Sequence, residues 1–211
     1  MRIKKQVWIV VGLVILAAIG GFLLYYFLKP EPAKEQFKIN VLDTISEYGY
    51  EIDNRDSELL KQEFEELKKI LTASNIDPKL YSEKVARMFI IDLYSIESAL
   101  NKYDVGATKF YHSNQKVMFE TKVKDTLYDL VEGDSYGDRD QKLPMVKEMN
   151  TLSIEEGTYE LDGEVVDAYI ITLSWKYEED LGYDNEGTII VVDDGIKKAV
   201  VSYTPAIEEE E

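Results

Sequence analysis

Residues 158–177 read TYELDGEVVDAYIITLSWKY. Asp162-Gly163 sits between two strand-like runs, and Asp-Gly favours a two-residue hairpin turn because its central positions take positive φ. After the turn, Tyr169, Ile171, Leu173, Trp175 and Tyr177 alternate with Ala168, Ile170, Thr172, Ser174 and Lys176. A period of two sends the bulky set to one face, expected in the core, and the smaller set to a partly wet face. The same reading extends outward to strands over 146–161, 164–177, 186–193 and 196–204, the last pair flanking a second Asp-Gly, Asp194-Gly195. The C-terminal half is therefore predicted as a hairpin-linked antiparallel sheet.

Upstream, the period changes to helical. Leu60, Phe64, Leu67 and Leu71 recur at spacings of four and three, predicting a helix over 56–73 with Asp56 as N-cap. Asp77-Pro78 opens a second helix, with aspartate as cap and proline at the first helical position. It is expected to run to Lys102, and its apolar residues Val85, Met88, Phe89, Ile90, Ile91, Leu93, Tyr94, Ile96 and Leu100 surround it, marking it as buried. A third helix is expected from a Ser113 cap to Val131, with Phe119, Val123, Leu127 and Leu130 on its apolar face. Residues 39–52 read as a short strand or packed extended lead-in, and 132–142 as a loop. Helices followed by hairpin-linked strands predict an α+β fold: about three helices packed on one face of a curved four-stranded antiparallel sheet.

The N-terminus is of another kind. Val7 to Leu28 (VWIVVGLVILAAIGGFLLYYFL) carries no charge and is preceded by Arg2, Lys4 and Lys5. A helix needs about 20 apolar residues to cross a hydrocarbon core. The run continues beyond the small residues Ala17, Ala18, Gly20 and Gly21, which favours an uncleaved anchor over a cleaved signal peptide. Trp8, Tyr25, Tyr26 and Lys29 are placed as interface anchors, and Pro30 and Pro32 end the segment. Retaining the basic cluster of Arg2, Lys4, Lys5 and the terminal amine on the inner side places the N-terminus in the cytoplasm and the large domain outside. The expected organisation is a cytoplasmic tail (1–6), a transmembrane helix (7–28), a linker (29–38), an extracytoplasmic α+β domain (39–204) and an acidic, disordered tail (205–211), in a single-pass protein of the cell membrane.

Composition narrows the chemistry. The 24 basic residues are outnumbered by 41 acidic ones, for a net charge of −17, and every acidic residue lies after the apolar run. Such a domain repels nucleic acid and anionic lipid. Without cysteine there are no disulfides, thiolate metal sites or thiol nucleophiles. His112 is the only histidine, so any histidine acid–base catalysis falls to it; its place before the third helix suits a turn or cap. Two acidic loops, Asp134, Asp138 and Asp140 in one, and Glu178, Glu179, Asp180, Asp184 and Glu186 in the other, supply the oxygen ligands calcium takes, without EF-hand spacing. There is no nucleophile elbow, phosphate loop or nucleotide fingerprint. The sequence thus designates no catalytic, cofactor-binding or metal-binding residue. The Trp175 and tyrosine stripe reads as core, with a ligand wall as the alternative.

The order of elements resembles that of nuclear transport factor 2-like domains. It is similar in layout, over residues 1–204, to the bitopic assembly factor of bacterial type IV secretion systems. The likeness carries no residue roles. The segments MFIIDLY (88–94), YDVGATKFY (103–111) and WKYEEDLGYDNEG (175–187) resemble those of membrane-anchored proteins of low-GC Gram-positive bacteria, which implies a bacterial cell-surface setting. The expected function is a membrane-tethered, non-enzymatic interaction or assembly domain, concentrated by its anchor near membrane or cell-envelope partners. The alternative is a small-molecule binder or enzyme using a cone-shaped pocket between helices and sheet.

Overall fold

In the computed structural model the chain divides into two units, Met1–Glu35 and Gln36–Glu211. The structure describes residues 19–22 and 38–206. In the first unit, residues 19–22 are helical, with Ile19 and Phe22 exposed. The rest of the expected membrane segment Val7–Leu28, the cytoplasmic tail 1–6, nearly all of the linker and residues 207–211 lie outside the described residues. Among the described residues no helix is long and apolar enough to cross a membrane.

The second unit is α+β. Four strands, β3 (Val146–Leu161), β4 (Glu164–Tyr177), β5 (Glu186–Asp194) and β6 (Lys197–Pro205), form an antiparallel sheet in the order β3-β4-β5-β6. The two Asp-Gly turns differ in kind. In the first, Asp162 (φ 53°) and Gly163 (φ 87°) are both left-handed, as a type I′ turn requires. In the second, Asp194 already pairs with Lys197, so the turn residues are Gly195 (φ 67°) and Ile196. A glycine with positive φ at the first central position is the type II′ arrangement. This moves β6 one residue along from the expected 196–204.

Bulges curve the sheet. The β3–β4 register slips between Val146 and Glu148 and between Thr151 and Ser153, and β6 carries Val201 as an extra residue. The core face is the one expected from β4: Ile171, Leu173 and Trp175 are buried, and Tyr169 and Tyr177 pack against the core. The other face is drier than expected, because Ala168, Val192 and Val201 are buried there with Tyr159, Leu161, Val166 and Ile190.

Residues 39–52 resolve into a hairpin of their own, β1 (Val41–Ile45) with β2 (Tyr50–Asp53), turning at Gly49 and separate from the larger sheet. Helix α1 (Glu58–Leu71) starts later than expected. Its cap is Ser57, whose hydroxyl accepts the Leu60 N–H, while Asp56 turns back to accept the N–H of Asp53. Helix α2 (Pro78–Tyr94) starts as expected, the Asp77 carboxylate accepting the Lys79 and Leu80 N–H groups. It stops at Tyr94 rather than Lys102. Ser95 leaves helical geometry, and Ile96 is buried in a 3-10 turn, Ile96–Ser98.

Helix α3 (Lys116–Lys124) is half the expected length. Ser113 does not cap it; its N–H and hydroxyl both bond Asp194. At the other end the Tyr128 N–H reaches back to the Val123 carbonyl and the Tyr128 hydroxyl donates to the Leu93 carbonyl, winding the chain out of the helix. Leu130, expected on the apolar face, is consequently 81% exposed.

α2 is the spine: Val85, Met88, Phe89, Ile90 and Ile91 have no exposed surface. α1 packs on it through Phe64 and Leu67 and through a buried carboxylate, Glu63, which pairs with Lys84 at 2.7 Å and accepts the Arg87 Nε–H at 2.9 Å. Burial raises the carboxyl's proton affinity, but the hydrogen bonds from Arg87 and Lys84 outweigh it and hold the group below its ordinary range.

Candidate functional site

α3 does not lie on the sheet as α2 does. The segment before it is pinned at several points: the His112 N–H donates to the Val200 carbonyl, Ser113 bonds Asp194, and the Asn114 amide donates to Asp162 at the tip of the β3–β4 hairpin. Phe119 stacks on Tyr111 with ring centres 4.1 Å apart and meets Phe89 at 5.6 Å. These contacts prop the helix away from β6. The gap is a groove of about 600 Å³, within the range of small-molecule sites.

One wall is α3 and the turn after it, presenting Gln115, Met118, Phe119, Lys122, Val123, Thr126 and Leu127. The facing wall is β6, with Val201, Tyr203 and Pro205. Tyr111 and Tyr159 contribute rings, and Tyr94 and Asp184 contribute the most ordered polar group. β6 is an edge strand, and on the side away from β5 the single bridge from Tyr111 to Val200 is its only strand-like partner among the described residues. Gly187 clears space for this wall: a Cβ there would stand 2.6 Å from Cε2 of Tyr203.

The polar group is a relay. The Tyr94 hydroxyl donates to Asp184 Oδ2 at 2.6 Å and lies 2.9 Å from the Tyr203 hydroxyl. One proton cannot serve both bonds, so Tyr203 donates to Tyr94. Behind it, Trp175 Nε1–H donates to the Tyr177 hydroxyl at 2.7 Å, and that hydroxyl donates to the Asp184 carbonyl. Burial, with Tyr203 and Asp184 beside it, drives the Tyr94 phenol far above its ordinary range, and burial raises Tyr203 and Tyr177 as well. Tyr111, desolvated and near Tyr159, is pushed up to about 12 and donates to the Val201 carbonyl. All four phenols are neutral donors at physiological pH, and none is a base or a nucleophile.

Two other depressions differ. One of about 590 Å³ between α1 and Met145–Lys147 has no aromatic lining residue. The other, of about 40 Å³, sits in a charge cluster where Arg55 pairs with Asp53 and Asp104, and Lys109 lies 3.3 Å from Asp56 and 3.5 Å from Asp92. It has room for a water molecule or two, not a substrate. Burial raises Asp56 despite Lys109, and the carboxylates overcome burial to raise Lys109. The cluster ties the β1–β2 hairpin to the 3-10 turn Thr108–Phe110, which gives it a structural role.

The residues singled out in the sequence are largely dispersed. His112 is buried, its Nδ1 accepting the Asn114 N–H at 3.3 Å and its Nε2 lying 3.7 Å from Asp194. It holds a turn and does not line the groove. Asp134 accepts the Arg139 N–H, and Glu179 pairs with Lys142. Among the described residues no three acidic or histidine side chains are grouped to hold a metal ion. Asp184, one residue of the second acidic loop, is the exception: it enters the groove. Trp175 is core, and of the β4 stripe none lines the groove. The tyrosines that do are Tyr94, Tyr111, Tyr159 and Tyr203, from four separate segments.

Compared with protein-family models, curated proteins and solved structures, the chain matches none.

Proposed function

We propose that residues 38–206 form a ligand-binding domain that takes a small amphipathic molecule into the groove between α3 and β6 without transforming it. The observation that carries this reading is the groove itself: a volume of about 600 Å³ with tyrosine and phenylalanine walls and a few convergent polar atoms. Tyr94, Tyr111 and Tyr203 are held protonated there, which supports binding over transformation. The setting proposed from the sequence is a cell membrane, with Val7–Leu28 as the single-pass anchor, the N-terminus in the cytoplasm and the domain outside. Protease accessibility in spheroplasts tests that setting: protection of the domain would reverse the orientation.

The binding reading is tested on the full chain, isotope-labelled and purified in detergent, by titrating 4-phenylbutanol and following amide resonances. Saturable shifts confined to Met118, Val123 and Tyr203 support it. Thr126→Trp, which fills the groove from its rim, should weaken them at least about tenfold. Shifts absent, or unaffected by the filled groove, overturn it.

A second reading, an interaction or assembly domain for cell-envelope proteins, is favoured by the outer face of α3. Val117, which does not line the groove, is 76% exposed there. A photo-crosslinker at Val117 in intact cells should then yield one discrete adduct that a crosslinker at Leu152, on the far edge of the sheet, does not. Identical patterns from both positions would remove this reading.

A further inference from the structure

We infer that the ligand of this groove is a cation, an organic amine with an apolar or aromatic body, whose ammonium group sits against Asp184 and the Tyr94–Tyr203 pair. The inference rests on the binding reading above and adds the ligand's charge.

The argument is a count of protons. Tyr203 spends its hydroxyl proton on Tyr94, Tyr94 on Asp184 Oδ2, Tyr177 on the Asp184 carbonyl and Trp175 on Tyr177. Every donor of this wall is committed within the protein. What remains are acceptors: the Asp184 Oδ1, which receives no hydrogen bond from another described residue, and the lone pairs of the Tyr203 oxygen. A ligand group placed there must bring protons. A carbonyl, ether or carboxylate would meet these acceptors with no proton to share between them.

Charge and ring geometry select an ammonium among the donors. Asp184 is fixed by Tyr94 rather than by a basic side chain, since no described cation pairs with it. Glu178, Asp180 and Glu186 lie within six residues of it in sequence and make no ion pair among the described residues, so the loop that carries Asp184 is negatively charged. Tyrosine faces attract cations through their quadrupole, and a carboxylate beside tyrosine rings adds a charge-assisted hydrogen bond. The protein already makes such contacts internally: Lys198 Nζ lies 5.3 Å from the centre of the Tyr169 ring, and Lys197 Nζ 5.9 Å from that of Tyr50. Lys122 is the opposing feature. It lines the α3 wall without an ion pair among the described residues, and it is the group an anionic ligand would choose. Both groups are solvent-exposed; the difference is that the Asp184 carboxylate is fixed by the Tyr94 hydroxyl beside the tyrosine rings, whereas no described residue fixes the Lys122 ammonium.

Three isosteric probes separate the possibilities: 4-phenylbutylamine, 4-phenylbutanol and 4-phenylbutanoate, titrated into the full chain in detergent. The Trp175 indole N–H resonance, two hydrogen bonds from Asp184, reports binding at this wall. The amine should bind about tenfold more tightly than the alcohol, with the carboxylate weakest. Asp184→Asn keeps an acceptor for Tyr94 and should bring the amine down to the alcohol's affinity, leaving the alcohol within about twofold. Lys122→Met removes a like charge and should tighten the amine. Equal binding of amine and alcohol, or tightest binding of the carboxylate with its loss in Lys122→Met, overturns the inference while the groove remains a site. Binding of none of the three overturns the groove itself.

Discussion

Two helices face the same sheet and do opposite things with it. α2 lies along the core with Val85, Met88, Phe89, Ile90 and Ile91 fully buried, and only its last residues, Leu93 and Tyr94, reach the groove. α3 touches the protein through Phe119 and Val123 and leaves about 600 Å³ between itself and β6. The difference lies in what each sequence can cover. α2 is apolar around most of its circumference, so it is stable only when enclosed. α3 has a narrow stripe and lysines at 116, 122 and 124, so it stays half out, braced by its flanking hydrogen bonds rather than by burial. Stability should therefore concentrate on the α2 side and binding on the α3 side.

The largest effect should come from the α2 centre. Phe89 contacts Tyr111, Phe119 and Tyr203 and has no exposed surface. Phe89→Ala should cost about 4 kcal/mol and lower the thermal midpoint by roughly 10 °C. A loss under about 1 kcal/mol in chemical denaturation would mean the core is looser than the groove and would invert the comparison.

Next is the buried carboxylate between α1 and α2. Glu63→Gln leaves Arg87 facing no charge and should cost about 3 kcal/mol near neutral pH. The pH dependence sharpens this. The folded carboxyl lies below its ordinary value of 4.5, so its contribution is fully present above that value and is lost as pH falls through the lower folded value. Wild type should lose urea resistance over that acid range, and Glu63→Gln should lose less of it. Parallel profiles would show that the pair does not stabilise the fold.

Smaller again is the start of α2. Asp77 satisfies two N–H groups that the first turn cannot. Asp77→Ala should cost about 1 kcal/mol, and Asp77→Ser should restore most of it, as read by denaturation midpoints.

How far the sequence spoke also separates the two helices. Asp77-Pro78 announced the start of α2 because capping chemistry is local. Its end was overrun because Ile96 and Leu100 continue the apolar pattern, yet Ile96 is buried from a 3-10 turn: apolarity reports burial, not helicity. The cap of α1 moved from Asp56 to Ser57 because Asp56 was engaged by Asp53 and Lys109, contacts no local reading includes. The four strands of the sheet and the Asp162-Gly163 turn were legible, since alternation and turn chemistry are short-range, whereas the second turn falls one residue on, at Gly195 and Ile196, because Asp194 stays paired with Lys197. The groove was not. Its relay joins Tyr94 to Asp184 across 90 residues and to Tyr203 across 109. Asp184 was visible only as one acid in an acidic loop. The available signal was the excess of tyrosine, 15 against 7 phenylalanines, since a core needing only apolar bulk has no use for so many hydroxyls.

The smallest expected effect on stability is the most telling for the comparison. Met118 lines the groove yet is 68% exposed, so it contributes apolar surface to a ligand and little to the fold. Met118→Ser should leave the denaturation midpoint within about 0.5 kcal/mol of wild type, since it breaks no hydrogen bond and opens no enclosed cavity. It should weaken 4-phenylbutanol several-fold, because the lost side chain would cover part of the ligand's apolar surface at about 25 cal/mol per Å². A comparable loss of stability would instead mean that α3 is held by its apolar face. The groove would then be a packing defect between two elements that share one core, rather than a surface kept open beside it.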